Sequence, residues 1–287
     1  MRVRIYLTRD EYARSGTEAP VCVVIDVLRA TSSIVTALAH GCAAVVPVAE
    51  VPRARALGAE RAWLVAGERN GVKLPGFHFG NSPREMTSPQ LRGKTLVITT
   101  TNGTATIMTG SRAKLCLVAS LLNLSSTAEA VLAAGGEVAV VCSGTEGRFS
   151  LDDYYVACAL TTLLTSCLEP SGKAARRARF ILQRYPDPLD ALRASAHGQR
   201  LQRLGFGEDL VWCARVDAFP VVARWNRGAV VASRQSPVSG TARLLRSMPG
   251  AAKGRAAGRR QSWPPDFCPA LHPVAFPAPV VAPYCCP

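Results

Sequence analysis

The sequence predicts an α/β protein in which a largely parallel sheet carries helices on its faces. Three observations predict it. From residue 20 to residue 168, short apolar runs rich in β-branched residues alternate with longer segments of helical periodicity. Gly41, Gly58 and Gly135 stand just beyond helical segments, where a helix C-cap favours glycine. The strand–helix–strand order also recurs often enough that crossovers must join most strands.

Taken in order, Val21 to Ile25 is a continuous apolar run of the kind buried on both faces. Thr31 to His40 reads as a helix, and Ala43 to Val48 as the next strand. Pro52 opens a helix that runs to Leu57, followed by a strand over Trp63 to Ala66. Pro75 to Pro89 is a long loop rich in proline and glycine, and loops of that length in a compact domain tend to be functional. Leu96 to Thr99 is a strand, Thr101 to Ser111 a helix and Leu115 to Val118 a strand. A helix follows from Ser125 or Ser126 to Ala134, then a strand over Val138 to Val141 and a long apolar helix over Leu151 to Leu168. Residues 170–200 read as connecting segment and helix, the charged stretch Lys173 to Arg184 and then Pro188 to Arg200, while Leu210 to Ala214 and Val221 to Ala223 read as late strands. Residues 1–232 thus form one α/β domain. Residues 233–287 hold ten of the twenty prolines without periodicity and read as a disordered, basic, low-complexity tail.

Composition narrows the function. With 48% apolar and 19% charged residues the chain has the make-up of a globular protein. No apolar run approaches the ~20 residues that span a bilayer. Met1 to Leu7 lacks the apolar stretch of a secretion signal, so a cytoplasmic location without membrane partners is expected. Ten scattered cysteines without any C-x-x-C spacing argue against a zinc site, so metal chemistry would use oxygen ligands. The net charge of +14 includes +6 from the tail and lacks an aromatic-interleaved basic stripe; no nucleic-acid partner is expected.

Open parallel sheets bind ligands beyond the carboxyl ends of their strands. Those ends carry Asp26 with Arg29 and Thr31, then Glu68, then Thr100-Thr101-Asn102-Gly103-Thr104, and then Cys142-Ser143-Gly144 running on to Glu146 and Arg148. The threonine-rich segment precedes a helix, whose free N–H groups and dipole favour an anion. Asp26 and Glu68 close apolar strands, positions suited to metal or substrate contact, and Asn81 in the long loop can reach a ligand. Asp152 lies near enough to join a Mg²⁺ site, whereas Asp153 reads as a dipole-favoured residue of the helix start. Cys142 to Arg148 also fits C-x5-R, the loop of cysteine-dependent phosphatases, which makes Cys142 a rival nucleophile.

Together, Asp26 to Ser32, Gly67 to Gly71, Gly76-Phe77 with Gly80 to Pro83, Thr100 to Thr104, and Cys142 to Asp153 resemble the 2-phosphosulfolactate phosphatase family. Ala196-His197-Gly198, Leu201, Gly205-Phe206 and Glu208 to Leu210 extend the resemblance, which covers about residues 3 to 232. It implies Mg²⁺-dependent hydrolysis of a small phosphate ester, (R)-2-phospho-3-sulfolactate, in a coenzyme M-type route by a homodimer. On that reading Asp26, Glu68, Glu146 and Asp152 supply metal ligands. Thr31, Asn81, Thr100 to Thr104, Ser143 and Gly144 hold phosphate, and Arg29 or Arg148 pairs with phosphate or sulfonate. His78 stands where an acid is expected, which keeps a non-catalytic phosphometabolite-binding protein as a further alternative. The tail has no family counterpart and reads as a frame shift or read-through.

Overall fold

The computed structural model describes residues 1–166 and 173–233; apart from its first residue, Ser233, the segment assigned to a tail lies outside them. The chain opens with β1 (Arg2–Tyr6), α1 (Arg9–Arg14), β2 (Val21–Ile25), α2 (Ala30–Ala39), β3 (Ala44–Pro47) and α3 (Val51–Arg61). It continues through β4 (Leu64–Arg69), β5 (Val72–Lys73), β6 (Thr95–Thr99), α4 (Gly103–Gly110), β7 (Leu115–Ala119), α5 (Leu124–Ala134) and β8 (Glu137–Cys142). Five helices follow: α6 (Leu151–Ser166), α7 (Lys173–Arg184), α8 (Pro188–Ala194), α9 (Ala196–Arg203) and α10 (Gly207–Cys213). Among the described residues the hairpin of β9 (Val222–Asn226) and β10 (Ala229–Ser233) comes last.

The strands form one sheet in the order β1-β8-β2-β7-β9-β10-β3-β6-β4-β5. Two parallel groups, β1-β8-β2-β7 and β3-β6-β4, flank the central hairpin. The hairpin pairs antiparallel within itself, with β7 and with β3. Three successive reversals make the two groups run in opposite senses along the ladder. In a flat sheet their carboxyl ends would lie on opposite edges, so the expectation of one common edge is corrected.

The sheet instead turns through its middle, and the join is thin: β10 meets β3 through the single pair Val230 and Val45. Inner-face residues of both groups, Val24, Val118 and Val141 with Val45, Leu96 and Ile98, share one core with Ile34, Val35 and Ile107. Those last three belong to α2 and α4, which therefore lie between the groups. Every residue of α2 from Ala30 to Leu38 is buried, as a helix enclosed on all sides requires. On the other face, Ala54 of α3 packs with Val65 and Val97. The chain crosses between groups through α2 and again through α4, so both helix N-termini and the exits of β2, β4, β6 and β8 come to one place.

Other expectations are corrected in detail. Leu210 to Cys213 is helical and Ala214 is the C-cap, with Asp209, Leu210 and Cys213 buried. The expected helix over Pro188 to Arg200 breaks at Ser195, whose hydroxyl caps α9 by accepting from the Gly198 N–H. Phe79, in the long loop, pairs with Ala66 as an isolated bridge. No helix among the described residues is long and apolar enough to cross a membrane.

Candidate active site at the meeting of two strand groups

A cleft open to solvent at its mouth is lined from both groups. Asp26, Leu28 and Arg29 come from the exit of β2, and Glu68, Asn70 and Gly71 from the β4–β5 turn. Asn81, Thr100, Thr101 and Asn102, Thr145 and Glu146, and finally His197, Arg200 and Leu201 of α9 complete it.

Asp26 is buried, and its Oδ1 accepts the Ala30 N–H at 3.2 Å. Its Oδ2 accepts no hydrogen bond among the described residues. Burial, reinforced by the charges of Asp152 and Glu68, raises its pKa to about 7, against the opposing Ala30 bond and Arg29. Gly103, the first residue of α4, allows this placement: a Cβ there would stand 2.6 Å from Asp26 Oδ2 and 2.5 Å from Ala30 Cβ. The two helix N-termini touch only because that position is glycine.

Glu68 is differently engaged. Its Oε1 accepts the Thr101 N–H at 2.8 Å and the Thr101 hydroxyl at 3.0 Å, and Oε2 accepts the Gly71 N–H at 2.6 Å. It ties the β4–β5 turn to the start of α4. Thr100 and Thr104 lock that turn reciprocally: Thr100 Oγ1 accepts the Thr104 N–H at 3.1 Å, and the Thr104 hydroxyl donates to the Thr100 carbonyl at 3.3 Å. The N–H groups of Asn102 and Gly103 are left to open the helix. Thr31 likewise serves the backbone, its Oγ1 accepting the Asp26 N–H at 3.2 Å.

The β8–α6 loop is held by Asp153, contrary to the expectation of a mere helix-start residue. Its buried carboxylate accepts the Val27 N–H at 2.9 Å and the Gly144 N–H at 3.1 Å, joining the exits of β2 and β8. Burial and the charges of Asp152 and Asp26 push its pKa well up. Gly144 has φ +68° and backs onto the Arg148 carbonyl, so no side chain fits there. Asp152 accepts from the Ser150 hydroxyl and sits 3.9 Å from His197 Nδ1, behind the cleft wall rather than in it. Burial pulls the His197 pKa down while Asp152 opposes it.

Several expected residues lie elsewhere. Cys142 is fully buried in β8, away from the cleft, and burial pushes its thiol well up, which suits a core residue and not a thiolate nucleophile. Arg148 is exposed outside the cleft, its backbone paired with Thr145. Ser143 and Gly144 lie beneath the lining. His78 is also outside it, exposed, its Nδ1 accepting the Val65 N–H at 3.1 Å; the expected acid at this position would not have faced the cleft. Arg29 lines the cleft but is spoken for: its guanidinium donates to Asp209 Oδ2 at 2.7 Å and to the Gly71 carbonyl at 2.8 Å, over the Phe206 ring. Ser82 donates to the other Asp209 oxygen at 2.7 Å.

The reading of the sequence missed Asp209, His197 and Arg200 as site residues. The last two lie three apart on α9, on one helix face, a spacing that could have paired them.

Among the described residues no three His, Cys, Asp or Glu side chains converge as a metal cage. Mg²⁺ needs less, because it is held by one or two carboxylates together with substrate oxygens and water. The bare Asp26 Oδ2 meets that need, as does Asn81 Oδ1, a buried acceptor without a donor that belongs to a cleft-lining residue. Glu68 has its oxygens occupied, and Glu146 is an exposed residue beside Arg200 at 3.8 Å.

A family model described as 2-phosphosulpholactate phosphatase matches residues 6–228. The chain is 38% identical over 217 residues to a protein of Caldanaerobacter subterraneus subsp. tengcongensis, covering 74% of this chain and 90% of that one. It is 39% identical over 218 residues to one of Thermotoga maritima, covering 76% and 94%, and 34% identical over 238 residues to one of Clostridium acetobutylicum, covering 80% and 100%. All three bear the name "Probable 2-phosphosulfolactate phosphatase". With the match spanning the strand exits and α9 alike, the chain belongs to the 2-phosphosulfolactate phosphatase family, a family of phosphoric monoester hydrolases.

Proposed function

We propose that this chain hydrolyses 2-phospho-3-sulfolactate to 3-sulfolactate and phosphate in the cleft around Asp26, with Mg²⁺. The observation that carries the reading is a desolvated carboxylate with one bare oxygen, set where two helix N-termini meet. Charge supports the metal. Asp26, Glu68 and Glu146 line the cleft against Arg29 and Arg200, and Arg29 is already neutralised by Asp209. A multiply anionic ester would be repelled from such a cleft unless a cation accompanied it.

Asp26 and Asn81 would hold the Mg²⁺, which when bound supplies Lewis-acid stabilisation of charge on the phosphoryl oxygens. The Asn102 and Gly103 N–H groups and the α4 dipole receive an anion in the orientation fixed by the Thr100–Thr104 lock. Glu68 holds that turn in register with the Gly71 turn, and Asp153 holds the β2 and β8 exits together. Leu28 and Leu201 give the cleft its apolar wall and limit water. Membership of a coenzyme M-type route, a cytoplasmic location, a homodimer and a separate tail after residue 232 belong to the same proposal and rest on the resemblance and the composition.

The test is phosphate release from (R)-2-phospho-3-sulfolactate in Mg²⁺ and in EDTA. The reading expects release that EDTA stops and added Mg²⁺ restores. Release unaffected by chelation would remove the metal, and no release under any divalent cation would remove the activity.

A further inference from the structure

Resting on that phosphatase reading, we propose that Arg200 is the anchor for a second anion on the substrate, a carboxylate or sulfonate on the part that leaves as the alcohol. Arg29 and Arg148 are the cations the motifs suggest for this task, and the structure gives both other circumstances. Arg29 is sealed, its side chain 2% exposed and its donors committed at 2.7 and 2.8 Å to Asp209 and the Gly71 carbonyl. Arg148 is not in the cleft.

Arg200 is in the cleft and loosely held. Its side chain is 38% exposed, and its contacts are long: 3.4 Å to the Asn70 carbonyl, 3.3 Å to Asn70 Oδ1 and 3.8 Å to Glu146 Oε1. Glu146 is itself 69% exposed, so this pair costs little to part. A guanidinium has five donors in a planar fork that matches a carboxylate or sulfonate two bonds at a time. An incoming anion takes the place that Glu146 holds in the free protein. Arg200 lies one helical turn from His197 on α9, an element that supplies neither the Asp26 carboxylate nor the α4 N-terminus. The phosphoryl end and the second anion are therefore read by different elements, and the ester is selected by the pair of charges it carries.

The experiment compares kcat/KM for 2-phospholactate, which bears a second anion, with that for ethyl phosphate, which does not, in full-length wild type, Arg200→Ala and Arg200→Lys, with Mg²⁺ present. The anchor predicts that Arg200→Ala lowers the ratio of the two constants at least tenfold, mainly through KM for 2-phospholactate, and that Arg200→Lys recovers part of it. Should the alanine variant not fold, Arg200→Gln, which can still bond Asn70, reads the same ratio. A ratio within twofold of wild type in the neutral variants overturns the anchor alone. Wild type that releases phosphate from neither these esters nor phosphosulfolactate overturns the phosphatase reading and the anchor with it.

Discussion

The exits of β2 and β4 each deliver one buried carboxylate to the cleft, and the two are built differently. Glu68, at the end of β4, is saturated by two N–H groups and a hydroxyl. Asp26, just past β2, accepts one long N–H bond and keeps an oxygen bare among other carboxylates. Both sit at similar positions in the strand pattern, and only their partners tell them apart. A saturated carboxylate has its charge spent on holding backbone in place, whereas a desolvated and under-bonded one retains its affinity for a proton or a cation.

Breaking the link between the two exits should have the largest effect. Arg29 joins them, bonding Asp209 and the Gly71 carbonyl, so Asp209→Ala leaves a buried guanidinium without its counter-charge. A loss of about 3–5 kcal/mol in denaturant unfolding is expected. A loss below about 1 kcal/mol would mean the exits are held together by something else.

The next effect tests the proton affinity of Asp26 itself. Asp26 has its pKa raised from 3.8 to about 7 on folding. Between those values the folded chain binds more protons than the unfolded one, so Asp26 makes stability fall as pH rises from about 4 to about 7. In metal-free buffer, Asp26→Asn should remove about 1–4 kcal/mol of that decline relative to wild type. Parallel pH–stability curves for the two proteins would show that Asp26 is not perturbed.

Smaller effects test the scaffold. Gly103→Ala drives a methyl against Ala30 and Asp26, and calorimetry should find about 1–3 kcal/mol of destabilisation. Thr101→Val removes one hydroxyl bond to Glu68 but leaves the N–H, so about 0.5–1.5 kcal/mol is expected. If the valine change were the more costly of the two, the close approach at Gly103 would not be the tighter constraint.

Much of this was legible in the sequence. The run over Val21 to Ile25 matches β2, because a strand buried on both faces needs unbroken apolar residues. Asp26, Glu68 and Thr100 to Asn102 line the cleft from the strand exits, and Asn81 lines it from the long loop. What the sequence hid depends on long-range geometry. The reversal between strand groups is set by the β9–β10 hairpin, whose second strand was not read at all. Leu210 to Ala214 reads as a strand from its apolar run, yet Asp209 at its head must face Arg29, some 180 residues earlier in the chain, and a helix provides that face. Asp153 looked like dipole decoration because its two N–H partners, Val27 and Gly144, belong to other segments. The C-x5-R spacing misled for a related reason: spacing does not report burial, and Cys142 points into the core.

The most direct test of the account is kcat for 2-phospho-3-sulfolactate at saturating Mg²⁺ in Asp26→Asn and Glu68→Gln, measured side by side. The account predicts that Asp26→Asn lowers turnover by about a hundredfold or more, while Glu68→Gln stays within about tenfold of wild type. An asparagine variant that turns over like wild type, or a glutamine variant that is the more damaged, would contradict it.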